Sequence, residues 1–183
     1  EVELATVIGR TAKYVPATDA PNYIFGYMVS LDISDRGGRP PNSRPGSDWL
    51  VGKGHDTFAP LGPWIVPKEF YGDPMQRLNQ VLEVDGQVMQ RAGPGDMIHS
   101  IYELMEYASS IITLYPGDVL NNGTSGGTGA GRAYRGEQRF LQPGETIEAS
   151  IEGIGTLTLP VVAEPAPKAG TGSYLPPVSS YSN

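Results

Sequence analysis

Turn-forming residues dominate what this chain can become. Glycine occurs 24 times and proline 17 times in 183 residues. Proline removes a backbone donor and glycine loosens the backbone, so a chain cut this often by both does not build a helical bundle. Short strands joined by turns, with few helices, are what remains: a mostly β, α+β architecture. The length suits one domain with a core of useful size and at most a small appendage.

Composition then narrows function. There is no cysteine, hence no disulfide scaffold, thiolate metal site or cysteine nucleophile. A formal net charge of −7 argues against nucleic acid as a partner, because phosphate binding needs a basic face. It leaves room for a small anionic substrate, which responds to the local field. No apolar run approaches the roughly 18 residues of a membrane span, and no secretory signal is evident. Asn122-Gly123-Thr124 fits the glycosylation pattern but carries little weight without such a signal. These features predict a soluble cytoplasmic protein with no membrane partner.

Glu1 to Gly9 reads as a strand. The chain thus opens inside a strand, which predicts an upstream segment that is missing or lies on a separate chain. Thr18-Asp19-Ala20-Pro21 reads as the start of a short helical turn reaching Phe25, capped by Asp19. Gly26 to Ile33 reads as a second strand, and Arg36 to Asp48 as a loop. Asp85-Gly86 between two half-apolar runs predicts a hairpin over Leu78 to Arg91. The clearest helix is Ser100 to Leu114. Ser100 and Glu103 form a capping box, and Ile101, Leu104, Met105, Ala108, Ile111 and Ile112 make one apolar stripe. Strands are expected at Val119 to Asn122 and at Thr146 to Glu152, the latter pairing with Gly155 to Val162. The expected domain is 1–162, followed by a Pro/Ser/Gly-rich tail over 163–183.

Four constellations could carry chemistry. In Glu1-x-Glu3, positions i and i+2 of a strand share a face, so the two residues stand roughly 7 Å apart and point together. Unpaired carboxylates repel, and a hard divalent cation such as magnesium or calcium would relieve them. Two exposed glutamates on an edge strand fit the same pattern. Asp32, inside an apolar strand, needs a cation, an arginine such as Arg36, or a metal, unless it is an ordinary strand-end aspartate. Lys53, between Gly52 and Gly54, could meet an anionic ligand as a mobile point charge or be a surface lysine in a turn. His55 stands beside it as a candidate ligand contact. Residues 121–129 form a glycine-rich loop that bares N–H groups to an anion. It contains Gly123-x-Ser125-x-Gly127, the serine-hydrolase elbow spacing. That elbow needs a helix straight after the serine, and the glycines beyond it are a poor helix start. His99 reads as a partner in the capping network of the long helix.

Taken in order, these pieces resemble the fumarylacetoacetate hydrolase family from Glu1 to about Val162. The resemblance runs through Glu1-Val2-Glu3-Leu4-Ala5-Thr6-Val7-Ile8-Gly9, Gly26-Tyr27, Asp32-Ile33-Ser34-Asp35-Arg36 and Gly52-Lys53-x-x-Asp56-Thr57-Phe58-x-Pro60-x-Gly62-Pro63. It continues through Asp96-Met97-Ile98, Leu114-Tyr115-Pro116-Gly117-Asp118, Gly123-Thr124 and Ile151-Glu152-Gly153-Ile154-Gly155. It implies a mixed β-sandwich roll, usually a homodimer. It also implies one divalent ion, Mg2+ with Mn2+ or Ca2+ as alternatives, held by Glu1, Glu3 and Asp32. Arg36, Lys53, Thr57 and Thr124 would contact a 2-oxo or 2,4-dioxo carboxylic acid. The implied chemistry is C–C bond hydrolysis through a metal-stabilised enolate, with hydratase, dehydratase, isomerase or decarboxylase activity as alternatives. Lys53, Arg36 and, for proton transfer, His55 are the catalytic candidates.

The departures matter too. Gly37 and Arg39 stand where the family usually has aspartate and glutamine, and Arg39 adds a substrate-binding candidate. Leu31 replaces an asparagine, Ser125-Gly126 a common proline-alanine, and His55 a common aromatic. In hydrolytic members a water-activating His/Glu pair precedes the first strand, and this chain begins after that point. A truncated, non-catalytic β-domain for binding or assembly is therefore the rival reading.

Overall fold

The computed structural model describes residues 1–36, 49–132 and 139–165. Among the described residues, eight strands form two antiparallel four-stranded sheets. The first has the order β3 (Leu61–Pro67), β2 (Ile24–Leu31), β1 (Val2–Ile8), β6 (Val119–Asn121). The second has the order β5 (Gln87–Ala92), β4 (Gln80–Val84), β7 (Thr146–Ile151), β8 (Gly155–Pro160). The helices are few. The helix α4 (Ile101–Ile111) has three turns, while α1 (Trp49–Lys53), α2 (Lys68–Tyr71), α3 (Pro74–Arg77) and α5 (Gly129–Arg132) are single turns. The expected mostly β, α+β fold is what the chain adopts.

Every residue of β1 is buried, which explains its unbroken apolar character. Val2, Leu4 and Ile8 join the main core with Val29, Leu31, Leu82, Ala149 and Ile151, so this face packs against the second sheet. Ala5 and Val7 form a smaller cluster with Met28. Glu1 and Glu3 share the alternation of that smaller face.

The hairpin forms as expected, with positive φ at both Asp85 and Gly86. So does the capping box: Ser100 Oγ accepts from Glu103 N–H, and Glu103 Oε2 accepts from Ser100 N–H at 2.7 Å. The Ser100 N–H and the Ser100 hydroxyl, both donating to Glu103 Oε2, hold the Glu103 carboxyl below its usual range.

Several local readings need correction. The strand β3 is not evident from the sequence, because Pro63 and Pro67 argue against a strand. It lies at the sheet edge, where a missing N–H costs nothing. A Cβ on Gly26 would collide with the Val66 carbonyl, so glycine there lets β3 approach β2. The strand β2 stops at Leu31, leaving Asp32 just beyond it. The helix α4 ends at Ile111, three residues early. Ile111 and Ile112 are exposed, and Ser109 takes the buried position, its Oγ accepting from Val15 N–H. Asp19 precedes the 3-10 turn Ala20–Tyr23, but its carboxylate accepts from the Asn22 side chain instead of capping the backbone. Lys53 closes the helical turn α1 instead of sitting in a glycine turn. The glycines after Ser125 do not prevent α5. Residues 37–48 of the expected loop, Arg39 included, and most of the expected tail lie outside the described residues.

Candidate metal and active site

β1 and β2 pair with Val2 opposite Leu31 and Glu3 opposite Ser30. Strand side chains alternate, so Glu1 and Glu3 on one side and Ser30 and Asp32 on the other share a face. Glu1, Glu3 and Asp32 each bring a carboxylate oxygen within 4.8 Å of the others.

Three carboxylates this close repel unless positive charge joins them. Lys53 Nζ ion-pairs with Asp32 and lies 3.8 Å from Glu1 Oε2. Arg36 Nη2 donates to Glu1 Oε1 at 3.2 Å. Glu3 is only 4% exposed. Burial is the main cause pushing its carboxyl above the usual range. The Gly123 N–H, donating to Oε2 at 3.0 Å, opposes that rise, while Asp32 and Glu1 add to it. Opposite Glu3, the Ser30 hydroxyl is fully buried and has no hydrogen-bond partner among the described residues. Three converging oxygens, a desolvated carboxylate and a spare hydroxyl fit a hard, oxygen-ligated dication.

The cluster opens onto a cavity of about 1160 Å³. Glu1, Asp32, Asp35, Arg36, His55, Asp56 and Thr57 line one part of it, Arg132, Arg139 and Glu164 add further charge, and Leu82, Val84, Met89, Phe140, Ile147 and Val161 supply an apolar wall. His55 packs on Phe58 and points Nε2 towards Asp35 at 3.6 Å. Thr57 is exposed, with φ of 69°.

Thr124 is not brought to that cavity. It lines a smaller one of about 230 Å³, alongside His99 and Ser125. Its hydroxyl donates to the Val2 carbonyl at 3.1 Å and accepts from Gln90 Nε2 at 2.8 Å. Among the described residues Ser125 Oγ meets only the Gly126 carbonyl and, at 3.4 Å, Gln90 Nε2, and α5 begins four residues later. No histidine bonds to Ser125 among the described residues, so the serine-hydrolase arrangement is not assembled there.

Sequence reasoning passed over Ser30, Gln90 and Asn122. Ser30 had a signal: it lies two residues before Asp32, near the end of β2. Gln90 had none, because a bulge turns it inward. Leu82 pairs with Gln90 and Glu83 with Val88, leaving Met89 extra and reversing the facing of the residues after it.

A family model described as fumarylacetoacetate (FAA) hydrolase C-terminal matches residues 1–162. The chain belongs to the fumarylacetoacetate hydrolase family. Within the family, the 2,4-didehydro-3-deoxy-L-rhamnonate hydrolase of Sphingomonas sp. is 40% identical over 156 residues, covering 85% of this chain and 53% of that protein. The crystal structure of a 5-carboxymethyl-2-hydroxymuconate delta-isomerase from Mycobacterium smegmatis is similar with a TM-score of 0.77 at 42% identity, covering 91% of this chain and 59% of that one. A fumarylpyruvate hydrolase from Pseudomonas aeruginosa, solved in complex with Mn2+ and pyruvate, gives a TM-score of 0.74 at 31% identity, covering 90% and 65%. This chain therefore spans between about half and two thirds of the length of these relatives. Hydrolase and isomerase activities both occur among family members this similar, and one of them holds a divalent metal. Among the described residues no helix is long and apolar enough to cross a membrane.

Proposed function

We propose that this chain is the catalytic domain of a divalent-metal-dependent enzyme acting on 2-oxo or 2,4-dioxo carboxylic acids, with C–C bond hydrolysis as its reaction. One observation carries the reading: three carboxylates converge, and two of them, Glu1 and Asp32, line a large cavity into which Arg36, Arg132 and Arg139 also bring positive charge. Glu1, Glu3 and Asp32 would hold the ion, magnesium in the cell with manganese as a substitute. A bound dication supplies Lewis acidity towards the oxo and carboxylate oxygens of the substrate.

The remaining work falls to this chain's own side chains. Lys53 and Arg36 neutralise the carboxylates of the cluster in the metal-free state. With Glu1, Glu3 and Asp32 holding a dication, Lys53 and Arg36 would be free to face an anionic substrate, which the net charge of −7 would otherwise repel. Arg36 offers a planar fork to a carboxylate, and Lys53 a point charge. His55 faces the same cavity with Asp35 behind its Nε2, an arrangement suited to holding and moving a proton. Thr57 and Arg39 complete the substrate contacts in this reading. In this reading the enzyme works as a cytoplasmic homodimer.

Thermal unfolding with Mg2+ or Mn2+, each with and without oxalate, tests the assignment. A ligand that binds only the folded state adds about 2.7 kcal/mol at a hundred times its Kd. A metal shift that oxalate enlarges is the expected result; no shift with either refutes the site and favours a binding or assembly role.

Isomerisation is the second reading, favoured by the 42% identity to the mycobacterial isomerase against 31% to the pseudomonad hydrolase. Product mass separates the two. Hydrolysis adds water and yields two acids, whereas isomerisation returns one product of unchanged mass.

A further inference from the structure

Among the described residues, the first half of β1 lacks a strand on the side away from β2. β6 pairs only with Ala5, Thr6 and Val7. Val2 and Leu4 are nevertheless fully buried, and buried backbone groups need partners. Side chains and one backbone N–H stand in for the missing strand. Asn122 Oδ1 accepts from Leu4 N–H at 2.8 Å, and the Asn122 backbone N–H donates to the Leu4 carbonyl at 3.1 Å.

At Val2 the replacement is a closed ring. Val2 N–H donates to Gln90 Oε1 at 3.0 Å, Gln90 Nε2 donates to Thr124 Oγ1 at 2.8 Å, and the Thr124 hydroxyl donates back to the Val2 carbonyl at 3.1 Å. The second Nε2 proton of Gln90 goes to the Ser125 carbonyl at 2.9 Å. Every donor and acceptor is used in one direction, and a flipped amide would set Nε2 against the Val2 N–H. Gln90 is 2% exposed and belongs to the opposite sheet, so the ring ties the two sheets together at the residue between Glu1 and Glu3.

We propose that Gln90 is a positioning residue of the metal site. Through Thr124 it locks both backbone groups of Val2 and so sets the spacing of Glu1 and Glu3. The inference rests on the metal reading above. It also gives the Thr124 hydroxyl a task other than contacting substrate, because its one proton is spent on Val2.

Calorimetric titration of the chain with Mn2+ tests this without any assay of activity. Wild type binds. Gln90→Met keeps the side-chain length, loses the amide, and weakens Mn2+ binding by about tenfold or more, the usual cost of losing a group that orients a metal ligand. Thr124→Val weakens it similarly, while Thr124→Ser, which retains the hydroxyl, stays near wild type. Met105→Ala, a core truncation under α4, lowers Tm without changing the affinity of the folded protein. Wild-type affinity in Gln90→Met overturns the proposal, as does an equal loss in Met105→Ala. Should Gln90→Met fail to fold, Thr124→Val decides in the same way: weakened binding supports the proposal and wild-type affinity overturns it. Absence of Mn2+ binding in wild type overturns the metal reading itself, and this proposal with it.

Discussion

The backbone N–H of Asp32 donates to the carbonyl of Glu1 at 2.9 Å. That bond extends the pairing of β1 and β2 one step beyond the last paired residues, Val2 and Leu31. The third carboxylate is therefore placed by strand register, although it lies outside the strand. The cluster should survive changes to the side chains that form it, because its geometry rests on the backbone.

Asp32→Ala is the direct test of that expectation. Its N–H still reaches Glu1, and Lys53, already partly solvated, can be hydrated when its partner is lost. The fold should persist in metal-free buffer while Mn2+ affinity drops by about a hundredfold, equivalent to about 2.7 kcal/mol. Unchanged affinity by calorimetry would remove Asp32 from the ligand set.

Lys53→Met should separate metal from substrate. Lys53 competes with a dication for Asp32, so its loss should leave Mn2+ affinity equal to wild type or higher. Oxalate binding to the metal-loaded protein should weaken. Parallel loss of both would mean that Lys53 supports the cluster instead of meeting the ligand.

Glu3 predicts a pH dependence. Burial raises its carboxyl in the folded chain above the value it has when unfolded. As pH climbs, the unfolded chain releases this proton first, so the contribution of Glu3 to metal-free stability is full at low pH and is lost through that window. Mn2+ requires the carboxylate, so its affinity should rise over the same window. Tm measured in chelator between about pH 4 and 7 should fall for wild type relative to Glu3→Gln. A constant difference between the two would show that Glu3 titrates normally.

Ser100→Ala probes the fold away from the site. It removes the acceptor of the Glu103 N–H and half of the capping box. The expected cost is about 1 kcal/mol, or roughly 2–4 °C in Tm for a chain of this size. Mn2+ affinity should not change. Differential scanning calorimetry and metal titration on the same variant would check both halves of this expectation.

Some of this is legible from residues alone because the signals are local. Asp85-Gly86 names its hairpin, since both positions need positive φ. Ser100 and Glu103 name the start of α4, since they sit one turn apart. Glu1-x-Glu3 announces two carboxylates on one face, since the strand period is two. The end of α4 is not legible in the same way. Ile111 and Ile112 continue its apolar pattern, whereas the burial that decides the matter comes from Ser109 meeting Val15. The prolines of β3 conceal a strand that exists because β2 offers it an edge.

The sequence by itself determined the family, the mostly β architecture and the residue types of the candidate site, because these depend on short-range pattern and on the order of motifs along the chain. Tertiary structure decided how those residues engage one another. Lys53 reaches Asp32 across 21 positions, Gln90 reaches Val2 across 88, and Thr124 turns its hydroxyl to Val2 across 122. Such contacts depend on sheet register, on one bulge at Met89, and on buried backbone groups that must find partners. None of these is encoded in the few residues around any one of them.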